Sequence, residues 1–113
     1  MVKHDLLRLH HMLDAAEEII QFSKNKTRKD LDSDRKLNLA IVHLLEIIGE
    51  AANGLSVELQ KKYSDVPWHV MVSMRNRLIH GYFDIDLDIV WKTTQNDIPK
   101  LTKTLKKIIS EEE

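Results

Sequence analysis

The sequence predicts an all-α protein, an up-and-down four-helix bundle, and three observations carry that expectation. Apolar residues recur at steps of three and four through most of the chain, which is the period of a helix with one buried face. Glycine and proline are scarce, at 3 and 2, whereas a sandwich or barrel needs many turns. Aromatic residues, at 5%, are few as well.

The elements follow in order. Leu6, Leu9, Leu13, Ala16 and Ile20 step by three and four, so residues 4–24 form an amphipathic helix. The polar, aperiodic run from Ser23 to Asp30 is a loop. Asp32 or Ser33 can cap a second helix, whose apolar positions are Leu37, Ile41, Leu44, Ile48, Ala51 and Leu55. Ala40 and Ile47 widen that stripe on one flank, as expected for a helix touching more than one neighbour. Tyr63 to Pro67 ends the segment, and Pro67 suits the first turn of a third helix. This helix carries Trp68, Met71, Val72 and Ile79 and ends at His80, with Gly81 as the left-handed residue that closes it. Asp84 or Asp86 can cap a fourth helix, with its stripe at Leu87, Val90, Trp91, Thr94, Ile98, Leu101, Leu105 and Ile108. Pro99 removes a backbone donor, which predicts a kink or break near residues 97–99, or a short fifth helix after Pro99. The acidic tail Ser110 to Glu113 is expected to fray.

The 113 residues read as a single domain, 1–113, and 42% apolar residues can fill its core. A chain this small has a high surface-to-volume ratio, for which burying a further face in a dimer is a common solution. Basic and acidic residues number 17 and 18, so the net charge is −1. That balance excludes the broad basic footprint of an extended duplex binder and leaves room only for a local basic site. With no cysteine there is no disulfide, no thiolate metal site and no cysteine nucleophile. No apolar run approaches a membrane span, and Met1-Val2-Lys3-His4-Asp5 does not begin a signal peptide, so a soluble, cytoplasmic protein is expected.

The densest group of chemically capable residues is Met74-Arg75-Asn76-Arg77-Leu78-Ile79-His80-Gly81-Tyr82. Asn76 and His80 are four apart and share a helical face, whereas Arg75 and His80 lie about 140° apart around the axis. Two copies across a dimer axis could close that gap. RNA cleavage needs a base for the ribose 2′-hydroxyl, an acid for the leaving 5′-oxygen and a cation for the phosphorane. Histidine can serve in either proton role, and arginine grips phosphate through a bidentate fork. No metal is required for that chemistry. Taken as residues alone, the group equally fits a helix-terminal histidine bonding a carbonyl, with Arg75 and Arg77 on a solvated face.

Arg75, four residues, His80, one residue, Tyr82 resembles the R-x4-H-x-Y signature of HepT proteins in the HEPN superfamily. Four further blocks resemble the family in order and spacing: Glu46 to Ala52, Val66-Pro67-Trp68, Val90-Trp91 and Asp97 to Leu101. Ser73 departs from the small glycine expected before Met74-Arg75-Asn76. The resemblance spans roughly residues 37–101 and implies a HEPN-like bundle acting as a homodimeric, metal-independent endoribonuclease with no cofactor. It implies the toxin half of a type VII HepT/MNT toxin–antitoxin system, whose partner is a minimal nucleotidyltransferase antitoxin that transfers AMP to the motif tyrosine. Arg75 and His80 are then catalytic, Asn76 supporting, and Tyr82 the modified residue. The alternative is a non-catalytic HEPN subunit that binds a nucleotide beside the nucleotidyltransferase.

Other features read as packing or surface. His43, Glu46 and Glu50 share one helical face, but a di-metal bundle needs a second Glu-x-x-His and there is none, so no metal site is expected. His10 and His11 form a surface pair, while Trp68, Trp91, Met71 and Met74 are packing residues. Lys100, Lys103, Lys106 and Lys107 form a solvated face.

Overall fold

The structure, a computed structural model, describes residues 4–113, with Tyr82 described in its backbone alone; the expectation about Met1 to Lys3 lies outside the described residues. Helices run at Asp5–Ser23 (α1), Asp30–Ser33 (α2), Arg35–Gly54 (α3), Val57–Lys62 (α4), Trp68–His80 (α5), Leu87–Lys92 (α6) and Ile98–Glu112 (α7). A 3-10 turn at Tyr82–Asp84 and a π-helical turn at Thr93–Asp97 complete the order, and no strand occurs among the described residues.

The second predicted stripe forms the spine of the core. Leu37, Ile41, Leu44, Ile48, Ala51 and Leu55 are all buried. The widening falls on Val42, Leu45 and Ala52, which are buried, rather than on Ala40 and Ile47, which are only half-buried. Two packed sides result, and α3 lies between α1 and α5. Asp34, not Asp32 or Ser33, caps this helix by accepting from the Leu37 N–H at 3.1 Å, while Asp32 pairs with Arg28. On α1 the buried row is Leu9, Met12, Ala15, Ala16 and Ile19: Leu9 and Ala16 are inward as predicted, Met12 and Ile19 replace Leu13 and Ile20, and Ile20 is exposed. Two of its inward positions are alanines, which mark a core less clearly in a sequence than leucines do.

The residues after α3 form a separate helix that apolar spacing did not reveal. Ser56 caps α4 by accepting from the Leu59 N–H at 3.1 Å. Asp5, buried at the start of α1, accepts from both the Ser56 N–H, at 2.9 Å, and its hydroxyl. One carboxylate thereby ties the first turns of α1 and α4 together. Asp5→Ala is expected to cost about 1–3 kcal/mol by stranding the Ser56 donors. Urea unfolding should show a lower midpoint at an unchanged slope, and an unshifted midpoint would deny the clamp any weight.

α5 ends at His80 as expected, but Gly81 is not left-handed, with φ −111°. Its N–H bonds the Arg77 carbonyl at 2.8 Å, and a Cβ would come within 2.9 Å of that same oxygen. Close approach, rather than a positive φ, is what calls for glycine there. Pro67 precedes the helix as its cap residue instead of sitting in its first turn.

Asp86 caps α6 through the N–H groups of Asp88 and Ile89. The break in the last predicted helix is the π turn at Thr93–Asp97, which ends just before Pro99 and separates α6 from α7. Pro99 stands in the first turn of α7, where a missing donor costs nothing. Nor does the tail fray at Ser110, because α7 continues to Glu112. Lys62 pairs with Glu112 at 2.7 Å, and the Tyr63 hydroxyl donates to Glu111 and Glu112 at 2.9 and 2.8 Å. Desolvation and the two carboxylates hold the Tyr63 phenol well above the usual tyrosine range. The Lys62 ammonium, and then the phenol, hold Glu112 below the usual carboxylate range. The stability this carboxylate contributes is present above the ordinary glutamate range and fades as the pH falls through its lowered value.

Around the spine, α1 packs on α3 and α7, and α3 packs on α5. Between α5 and α7 the seam stays open as an apolar groove of about 270 Å³, lined by Ile48, Val70, Met71, Met74, Ile98 and Leu101 among others. Within α5 only Trp68 and Leu78 are buried. No helix among the described residues is long and apolar enough to cross a membrane.

Candidate active site

α5 reaches α3 at a glycine. A Cβ added to Gly49 would overlap the Arg75 Cβ and come within 2.7 Å of the Met71 carbonyl oxygen. The missing side chain lets the two backbones touch and seats the Arg75 stem against α3. From that seat Arg75 Nη2 pairs with Glu50 Oε2 at 2.6 Å, and Nη1 donates to Asn76 Oδ1 at 2.8 Å. Its Nε is buried without a hydrogen-bond partner. The Arg75 side chain is 26% exposed, against 65% for Glu50, so the arginine is held and its carboxylate partner faces water.

His80 lies elsewhere. It is exposed, and its ring makes no hydrogen bond among the described residues. Together with Asn76, Arg77, Lys92 and three aspartates, Asp84, Asp86 and Asp97, it lines a hollow of about 870 Å³ beside α6. Arg75 lines a different hollow of about 440 Å³, with Arg8, His11, His43, Glu46, Glu50 and Asn53. Of the residues expected in the site, one chain thus joins Arg75 to Asn76 and leaves His80 on another side of the helix. This is what a five-residue offset produces. Asn76 connects the two, since its oxygen holds Arg75 while the residue lines the His80 hollow. The Tyr82 backbone enters the 3-10 turn directly after Gly81, and its side chain lies outside what is described.

Three participants were not assigned a role from the sequence. Gly49 and Glu50 stood inside a block that resembled the family, yet nothing in that block said that they seat and pair Arg75. Arg8 carried no signal, being one more polar residue on the first helix. His43 faces Glu46 at 3.8 Å and Glu50 is engaged by Arg75. No group of three His, Asp or Glu suited to a metal ion occurs among the described residues.

The described residues form an all-helical, HEPN-like bundle that carries arginine, asparagine and histidine along one lightly buried helix, with a hollow on either side. Residues 12–108 match the model of the family described as HepT-like ribonuclease, and the chain belongs to that family. A "Putative RNase" of Caldanaerobacter subterraneus subsp. tengcongensis is 40% identical over 104 residues, covering 92% of this chain and 93% of that protein. A "Probable ribonuclease HepT" of Thermococcus cleftensis is 35% identical over 100 residues, covering 88% of this chain and 91% of that one. A "Gamma-glutamylcyclotransferase and putative RNase" of Methanocaldococcus jannaschii is 38% identical over 111 residues, which is 98% of this chain but 50% of the relative. The chain therefore spans about half the length of that last protein. No solved structure matches it.

Proposed function

We propose that this protein is the toxin of a HepT/MNT pair, a cytoplasmic, metal-independent endoribonuclease that acts as a homodimer. The observation that carries the reading is a guanidinium fixed on Gly49 and Asn76, with an unencumbered imidazole at the end of the same helix. In the reaction a base removes the 2′-hydroxyl proton, the 2′-oxygen bonds phosphorus and the bond to the 5′-oxygen breaks. An acid returns a proton to that leaving oxygen, giving a cyclic phosphate and a 5′-hydroxyl. His80 supplies proton transfer, Arg75 steadies charge on the non-bridging oxygens, and Asn76 keeps the guanidinium aimed.

Separation of Arg75 from His80 in one chain supports a site made by two. A two-fold axis offers the arginine of one copy to the histidine of the other, and the open apolar groove beside Val70 and Met74 gives a second copy something to cover. The same separation also suits the other reading, a non-catalytic nucleotide-binding subunit of a nucleotidyltransferase. Purified protein incubated with total RNA in EDTA, beside a His80→Ala control, decides between them. Cleavage that depends on His80 supports the toxin, and intact RNA removes it.

AMP transfer to Tyr82 by the nucleotidyltransferase antitoxin is the proposed silencing step. The modified position stands between Gly81 and Phe83, both of which line the hollow with His80; a phosphate attached there competes with RNA for the same cations. Co-expression with the neighbouring nucleotidyltransferase should raise the intact mass by one or more AMP units, and Tyr82→Phe should abolish the gain. A gain retained in Tyr82→Phe places the modification elsewhere.

A further inference from the structure

Two arginines from different helices rest on two glycines of α3. Gly49 seats Arg75. Gly54, at the end of the same helix, seats Arg8 of α1: a Cβ there would overlap Arg8 Nε and come within 2.9 Å of its Cδ. Both guanidiniums line the hollow of about 440 Å³ where α1, α3 and α5 meet, beside His11, His43 and Asn53. Two carboxylates share the space, and each faces another group: Glu50 pairs with Arg75, and Glu46 faces His43. The half-buried Arg8 side chain has neither a hydrogen bond nor an ion pair among the described residues.

Arg8 is thus a half-buried guanidinium without a counter-ion, beside Arg75, whose Nε is buried and unpartnered although Glu50 holds its Nη2. We propose that this hollow is a subsite for a backbone phosphate of the RNA, gripped between Arg8 and Arg75; the proposal rests on the ribonuclease reading above. Phosphate oxygens fill the Arg8 fork and take Nη2 of Arg75 from Glu50. The exchange is easy because Glu50 is mostly exposed, and exposed ion pairs hold weakly. In the free chain Glu50 stands where the phosphate goes. Arg8 thus adds a contact from the first helix, outside the arginine–histidine motif, to the phosphate that Arg75 holds.

The test uses the full chain with His80→Ala, to stop cleavage, and a labelled single-stranded RNA followed by fluorescence anisotropy over a series of salt concentrations. Arg8→Met keeps the stem over Gly54 and removes only the charge. It is expected to weaken binding about tenfold and to flatten the slope of log affinity against log salt by about 0.7, the value for one phosphate on a single strand. Arg8→Lys should recover part of both, and Glu50→Gln should tighten binding by freeing Arg75. Unchanged affinity and slope in Arg8→Met, with helical content intact, overturn the subsite. Cleavage measured with Arg75→Ala and His80→Ala keeps the two readings apart. If those variants are inactive while Arg8→Met binds and cleaves normally, the subsite alone falls. A chain that binds no RNA in any form overturns both.

Discussion

Chains carrying His80→Ala or Arg75→Ala are each expected to cleave RNA about 100- to 10,000-fold more slowly, the usual loss for one proton-transfer or charge-stabilising group. Because His80 is exposed and unbonded, its truncation disturbs no packing, and circular dichroism should be unchanged. Mixing the two inactive variants under conditions that exchange subunits supplies a second measurement. A dimer of one Arg75→Ala chain and one His80→Ala chain retains one intact arginine and one intact histidine on different copies. If the site spans the two-fold axis, the mixture regains activity that neither parent has. An inert mixture would return the site to a single chain, and full activity in either parent would remove that residue from the chemistry.

Gly49→Ala is expected to be the most damaging conservative change outside the motif. The added methyl meets the Arg75 Cβ and the Met71 carbonyl, and neither is the free end of a flexible side chain. Relief requires α5 to move away from α3, which disturbs Met71, Val72 and Met74, packed against the core beside the buried Trp68 and Leu78. Overpacking of this kind typically costs about 1–3 kcal/mol. Cleavage should fall as well, because the shift drags Arg75 from Glu50 and Asn76. Gly54→Ala is the matched control, since the atoms nearest its methyl belong to the outer part of the Arg8 side chain, which can swing aside. A drop in urea midpoint for Gly49→Ala but not for Gly54→Ala bears out the close crossing, and equal midpoints would deny it.

What could be read from the sequence depended on whether a feature is local. The α3 stripe was legible because apolar side chains at helical spacing say which face is inside, and here large residues fill that face. The motif helix and its end at His80 were legible for a similar reason, since Gly81 breaks the pattern just where its N–H turns back on Arg77. The α1 register was legible only in part: Leu9 and Ala16 were read as inward and are, while Met12, Ala15 and Ile19 fill the places expected for Leu13 and Ile20, and an alanine such as Ala15 signals burial less clearly than a leucine. The Asp5–Ser56 clamp, the tail held by Tyr63 and Lys62, and the Glu50–Arg75 pair each join residues far apart in the chain or on different helices. Spacing within one helix carries no information about such partners. The separation of Arg75 from His80 was legible, being a matter of helical geometry. The hollows they occupy were not.

The π turn at Thr93–Asp97 has a consequence for how the wall of the His80 hollow is attached to the core. Val90, Thr94, Ile98 and Thr102 are all buried, at intervals of four. On an unbroken α-helix such a row drifts by about 40° at each step, and its ends would point in different directions. One wider turn absorbs the drift, so α6 and α7 can both face inward with different phases. The angular setting of α6, whose neighbours Asp86 and Thr93 and whose own Ile89 and Lys92 border the hollow, is therefore decided by one loosened turn rather than by the packing of α7. Gain or loss of a single residue there would rotate the wall about its axis while leaving Leu105, Ile108 and the rest of the C-terminal core in place. The hollow can in this way change shape without the bundle being rebuilt.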